Sequence, residues 1–148
     1  MECPLSEGMS RTHAVIRRAM NAVHRALGPG LAETTYRNAL CVELQAQLQL
    51  QAQAPGGVQE PVAIAMEVVR TIEYRGVAVG FHRHDLVFGN VVIEIKVSKS
   101  QHPEAAPAAY ESQINRYLTH LKDSECVVLV VIGVEEIATS LHRRPQFQ

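Results

Sequence analysis

The sequence predicts a single α/β domain, a mixed β-sheet flanked by helices in the order α-α-β-β-β-β-α-β. Three observations predict it. The N-terminal third carries apolar residues at helical spacing. His84–Val97 holds two β-branched runs on either side of Gly89-Asn90, a two-residue hairpin signal. Cys126–Ile132 is a continuous apolar run closed by Gly133, which reads as a strand buried on both faces. The length of 148 residues suits one core.

The elements follow in order. Residues 1–9 read as a flexible start, and the domain is expected over 10–142. Ser10 can cap a helix running to about Leu27, with Ile16, Met20, Val23 and Leu27 on one side. Gly28-Pro29-Gly30 breaks it. A second helix is expected from about Leu31 to Gln51, with Leu40, Leu44 and Leu48 as its apolar stripe. Residues 51–61 are low in complexity, punctuated by Pro and Gly, and read as a loop insert. A strand over about Ala63–Tyr74 turns at Arg75-Gly76 into a second, Val77–Phe81. The third strand holds Asp85 and the fourth Glu94. A helix is expected over Pro103–Lys122, with Pro107 blocking its early part. Ile137–Leu141 adds an edge strand or a helical turn, and 143–148 is a tail.

Composition narrows the function classes. Net charge is −1 and the pI about 6.6, which is no strong basic footprint. Basic residues cluster instead, as Arg11, Arg17, Arg18 and Arg25, as His142-Arg143-Arg144, and as Lys96, Lys99 and His102. No apolar segment approaches the roughly 20 residues that span a bilayer, so no membrane role is expected. No basic-then-apolar pattern follows Met1-Glu2, so no signal peptide is expected. Cys3, Cys41 and Cys126 match no zinc spacing or disulfide framework. The expectation is an intracellular protein in a reducing compartment, cytoplasmic or nuclear.

The hairpin carries the chemistry. If Gly89 and Asn90 form the loop, Phe88 pairs with Val91 and Asp85 falls opposite Glu94. Lys96, two residues beyond Glu94, projects from the same face. Leu86, Phe88, Val91, Ile93 and Ile95 then point into a core. Like charges directly opposed are destabilising, so two carboxylates there call for a cation. A hard divalent ion such as Mg²⁺ suits them and accepts phosphate oxygens. Its bound water becomes a nucleophile, and a nearby lysine stabilises phosphate charge. The blander alternative is a solvated face of surface ion pairs.

Neighbouring residues extend the reading. His82 and His84 suit a transition metal, yet by strand alternation they leave the face opposite to Asp85, so only one set can join its site. Arg83 falls on the Asp85 side, placed to pair with an acid or touch a phosphate. His24 reads as a satisfied helix-face histidine.

Asp85, a hairpin and then Glu94-Ile95-Lys96 form a D-x8-E-x-K pattern that resembles the PD-(D/E)XK nuclease superfamily, with His84 in place of its proline. Gly30-Leu31-Ala32-Glu33-Thr34-Thr35-Tyr36 is similar to the G-x-x-E-x-x-Y signature of the GxxExxY family within it, and Val23–Pro29 to that family's lead-in. Gln113–Tyr117 matches the Q-x-x-x-Y helix motif of RecB-like nucleases. The resemblance runs from about His13 to Gly133.

It implies a restriction-endonuclease-like fold and a Mg²⁺- or Mn²⁺-dependent nuclease leaving 5′-phosphate and 3′-hydroxyl ends. Asp85 and Glu94 would hold the ion with the Ile95 carbonyl. Glu33 would complete the acidic cluster, and Lys96 would position the attacking water or the phosphate. Gln113, Tyr117 and Tyr36 are candidate substrate contacts, with packing as the alternative for the tyrosines. The expected partner is nucleic acid, DNA ahead of RNA, including ends, flaps or junctions. A homodimer would allow two-strand cutting. The rival reading is a non-catalytic nucleic-acid- or protein-binding module on the same fold.

Overall fold

The computed structural model describes residues 4–57 and 62–145. Two helices, α1 (Pro4–Leu27) and α2 (Glu33–Gln53), precede three strands, β1 (Ile64–Tyr74), β2 (Val77–Phe88) and β3 (Val91–Val97). A 3-10 turn at Ala108–Tyr110 leads into α3 (Glu111–His120), followed by β4 (Cys126–Ile132) and β5 (Ile137–Arg143). The sheet order is β1-β2-β3-β4-β5, antiparallel except for the parallel pair β3/β4. That parallel pair needs a crossover, and α3 supplies it.

The sheet is a middle layer. Its first face packs Leu86, Phe88, Val91, Ile93, Ile95, Val128 and Val130 against Ile16, Met20, Leu40 and Leu44 of α1 and α2. Its second face packs Val87, Val92, Val127, Leu129 and Val131 against Ile114, Tyr117 and Leu118 of α3. β4 is therefore buried on both sides, as its unbroken apolar run requires. Phe88 closes the hairpin end of the first core. Phe88→Ala is expected to cost about 3–5 kcal/mol in denaturant unfolding, and a loss under about 1 kcal/mol would remove it from the core.

Several expectations are corrected. Ser10 caps nothing, because α1 already begins at Pro4 and Met9 is buried. Proline is tolerated in a first helical turn, where its missing N–H would have no partner anyway. Val77–Phe81 and the Asp85 strand are one strand, β2. His82-Arg83-His84-Asp85 is polar but contains no Gly or Pro, and the chain stays extended through it. Ile137–Arg143 takes the edge-strand alternative, and with β2 unbroken the order is α-α-β-β-β-α-β-β. The Pro103–Lys122 helix shortens to Glu111–His120 behind the 3-10 turn, consistent with Pro103 and Pro107. Most of the expected 51–61 loop is occupied by the end of α2 and a turn, and 58–61 lie outside the described residues.

The α1–α2 connection is strapped. Gly28 and Gly30 both have positive φ, 77° and 86°, which a side chain rarely adopts. The buried Tyr36 hydroxyl donates to the Gly28 carbonyl at 2.7 Å and accepts from Leu31 N–H at 3.3 Å. Gly30, Glu33 and Tyr36 thus form one unit: the glycine makes the turn, the tyrosine locks it, and Glu33 emerges at the start of α2.

Candidate active site

The hairpin register is as expected up to a point. Phe88 pairs with Val91, Val87 with Val92 and Leu86 with Ile93, and there the ladder stops. Asp85 does not pair with Glu94 across the strands. Its Oδ2 instead accepts the Ile95 N–H at 3.0 Å. The β1 side is disturbed at the same place. Val68 pairs with His84 and Met66 with Leu86, while Glu67 between them has φ 52°. Asp85 therefore sits where β2 parts from β3.

That break reverses the side-chain alternation. Leu86 and Phe88 face α1 and α2, but His82 and His84 lie against Tyr117 of α3. The expectation that only one set could join the acids is overturned. Asp85 and His84 both reach Glu94, with His84 Nδ1 at 3.7 Å from Glu94 Oε1. Arg83, between the two histidines, projects to the other side and is exposed. It does not share the Glu94 face expected of it.

The parting leaves a free edge on β3. Ile95 N–H meets Asp85, and Val97 N–H is directed at Glu33 Oε1, 3.4 Å away. Ser98 N–H points the other way, to the Ile132 carbonyl of β4. Residues two apart on a strand are separated by about 6.5–7 Å, so the two carboxylates line one edge about that far apart. A strand residue directs its N–H and C=O to the same side, so the Ile95 carbonyl opens between them. The α1–α2 strap delivers Glu33 to this edge.

Glu94 is the most perturbed acid. It is 2% exposed, and burial followed by the neighbouring Asp85 charge pushes its carboxyl up to about 8. Lys96, on the same face, opposes that shift. Its ammonium lies 5.7 Å from the Tyr110 ring centroid, a cation–π distance. From α3, Gln113 Nε2 donates to the Tyr117 hydroxyl at 2.9 Å. The Tyr117 ring meets His84 and His82 edge-on, at 4.7 and 5.0 Å between centroids. Burial, then Glu94, raises the Tyr117 hydroxyl. Burial, then Arg70, lowers His84, and burial, then His120, lowers His82, so both imidazoles are neutral at neutral pH.

Other placements are plain. Tyr36, a candidate substrate contact, is fully buried, and its hydroxyl is occupied inside the chain, where it straps a loop. His24 is satisfied by the Gly133 carbonyl at 3.0 Å. The reading of single residues missed Arg70, which pairs with the buried Glu125 beside His84, and Tyr110 beneath Lys96. Neither carried a motif.

The donor set fits a divalent ion. Glu94 is a buried carboxylate beside a second acid and an open carbonyl. Among the described residues no three His, Cys, Asp or Glu side chains are gathered so as to hold a metal ion by themselves. Two carboxylates and a carbonyl suit an ion that keeps several waters, as Mg²⁺ does.

Among the described residues no helix is long and apolar enough to cross a membrane. No curated protein matches the chain. A solved structure described as "Crystal structure of SSO0001" is 20% identical, with a TM-score of 0.43, over 90% of this chain and 65% of that one. The chain thus spans less than two thirds of that structure's length. The model of the PD-(D/E)XK nuclease superfamily matches residues 10–143. With that match over nearly its whole length, and a five-stranded mixed sheet between helices, the chain belongs to the PD-(D/E)XK nuclease superfamily.

Proposed function

We propose that this protein is a divalent-metal-dependent nuclease of the GxxExxY type that hydrolyses phosphodiester bonds, in DNA ahead of RNA. The observation that carries the reading is the buried Glu94 carboxyl, pushed up to about 8 beside Asp85 on the free edge of β3. A carboxylate this costly to ionise is explained by a cation that belongs with it. The GxxExxY assignment is supported by the joint work of Gly30, Glu33 and Tyr36 in directing an acid to Val97. The preference for DNA rests on the habit of the superfamily.

Asp85, Glu94 and the Ile95 carbonyl would hold the ion, with Glu33 completing the acidic edge. A bound divalent ion supplies Lewis acidity and a water with a lowered pKa. Lys96 faces the same side as Glu94 and is placed to orient the water and stabilise charge on a phosphate. Gln113 fixes Tyr117, which closes the site from α3.

Lys96→Ala is expected to leave metal affinity within a few-fold of the parent. The same change should slow single-turnover cleavage by about 10²–10³-fold, the usual size for one electrostatic donor. Unchanged turnover would remove Lys96 from the mechanism. The primary test incubates the purified protein with single-stranded, duplex and branched DNA and RNA, with Mg²⁺, Mn²⁺ or EDTA. Cleavage that requires metal supports the reading and ranks its substrates. No cleavage together with no metal binding would favour the non-catalytic binding module, with which the net charge of −1 is also compatible.

A further inference from the structure

Three buried side-chain polar atoms among the described residues have no hydrogen-bond partner: His82 Nε2, His84 Nδ1 and Glu94 Oε1. All lie in the layer between β2, β3 and α3. Buried polar atoms left unpaired are uncommon and costly, so their gathering in one place asks for a function. Two of them face each other. His84 Nδ1 and Glu94 Oε1 are 3.7 Å apart, with their side chains only 1% and 3% exposed.

That spacing is too long for a hydrogen bond. It is also too short for a bridging water, which would hold the two atoms about 4.5 Å apart. A movement of under about 1 Å would make the direct bond. We propose that His84 is a positioning residue for Glu94: its Nδ1–H donates to the buried Oε1 and fixes the carboxylate plane, leaving the other oxygen to the ion. The inference rests on the nuclease reading above. Carboxylates that hold metals are themselves held by hydrogen bonds from a surrounding layer.

The rest of that layer fits the role. The Tyr117 ring stands edge-on to the His84 imidazole at 4.7 Å and limits its rotation. Gln113 holds the Tyr117 hydroxyl, so the four-residue spacing of the Q-x-x-x-Y motif ends on His84. The break at Asp85 lets successive residues serve one acid, Asp85 toward the strand edge and His84 toward the interior.

The test is calorimetric titration of Mg²⁺ and Mn²⁺ into the wild type, His84→Leu and His84→Asn, with thermal melts of each. His84→Leu fills the space without a donor and is expected to weaken both ions by about 10–100-fold. His84→Asn keeps an N–H near the Nδ1 position and is expected to recover most of that loss. A folded His84→Leu protein with wild-type affinity overturns the proposal, as does an Asn variant as weak as the Leu one. Where either variant fails to fold, ¹⁵N ring shifts of wild-type His84 in Mg²⁺ decide. A protonated Nδ1 supports the proposal, and a bare Nδ1 overturns it. A wild type that binds neither ion overturns the nuclease reading and this inference with it, which differs from ion binding that ignores His84.

Discussion

Glu94→Gln is expected to abolish metal-dependent cleavage while leaving the protein folded. Asp85→Asn is expected to do the same. Each substitution removes one of the two carboxylates proposed to hold the ion and keeps the side chain's shape, so the loss is expected to fall on the ion and not on packing. Glu94 is buried between β2, β3 and α3, and its ionised form is disfavoured there by burial and by Asp85. The neutral amide carries no such penalty, so Glu94→Gln should melt at or above the wild-type temperature at neutral pH. Asp85→Asn keeps an oxygen able to accept the Ile95 N–H, so the parted edge of β3 should survive. The assay is single-turnover cleavage of the best substrate, beside metal titrations and melts of both variants. A variant that is folded and fully active would overturn the assignment of the site.

The stability of the metal-free protein is expected to fall as pH rises from about 4.5 to about 8, through Glu94. Its folded-state pKa is raised from 4.5 to about 8 by burial and then by Asp85. Between those values the folded chain holds a proton that the unfolded chain has released. Rising pH therefore favours the unfolded state, by up to about 1.4 kcal/mol per pH unit from this group. The contribution is fully present below about 4.5, is lost through the window and levels off above 8. Histidines with lowered pKa values, among them His13, His84 and His142, act in the opposite sense below about 6.5. The quantity to measure is therefore the difference between wild type and Glu94→Gln, in urea unfolding with EDTA at several pH values. The variant's advantage should grow by several kcal/mol across the window. A flat difference would mean that Glu94 is not buried as described. Saturating Mg²⁺ should flatten the slope, because an ion bound at the proposed site would hold the carboxylate ionised.

The chain's own residues determined the fold class, the hairpin register and the candidate acids. Gly89-Asn90 sets a two-residue turn, and a turn of that length leaves one register for Phe88, Val87 and Leu86. The apolar run at 126–132 has no polar residue to turn outward, so it must be covered on both faces. Gly30, Glu33 and Tyr36 announce themselves by spacing, because a tight turn, a helix start and the lock between them are local. What lies beyond the register was decided only by the tertiary structure. Periodicity assumes a regular strand, and β2 ceases to be regular at Asp85, where both of its neighbours lose their pairing. From there alternation predicts the wrong face for His82, His84 and Arg83. The meeting of Glu33 with Val97 crosses 64 residues of chain, and that of Arg70 with Glu125 crosses 55. Local spacing holds no record of such contacts, because they exist only once the sheet is closed between its helices.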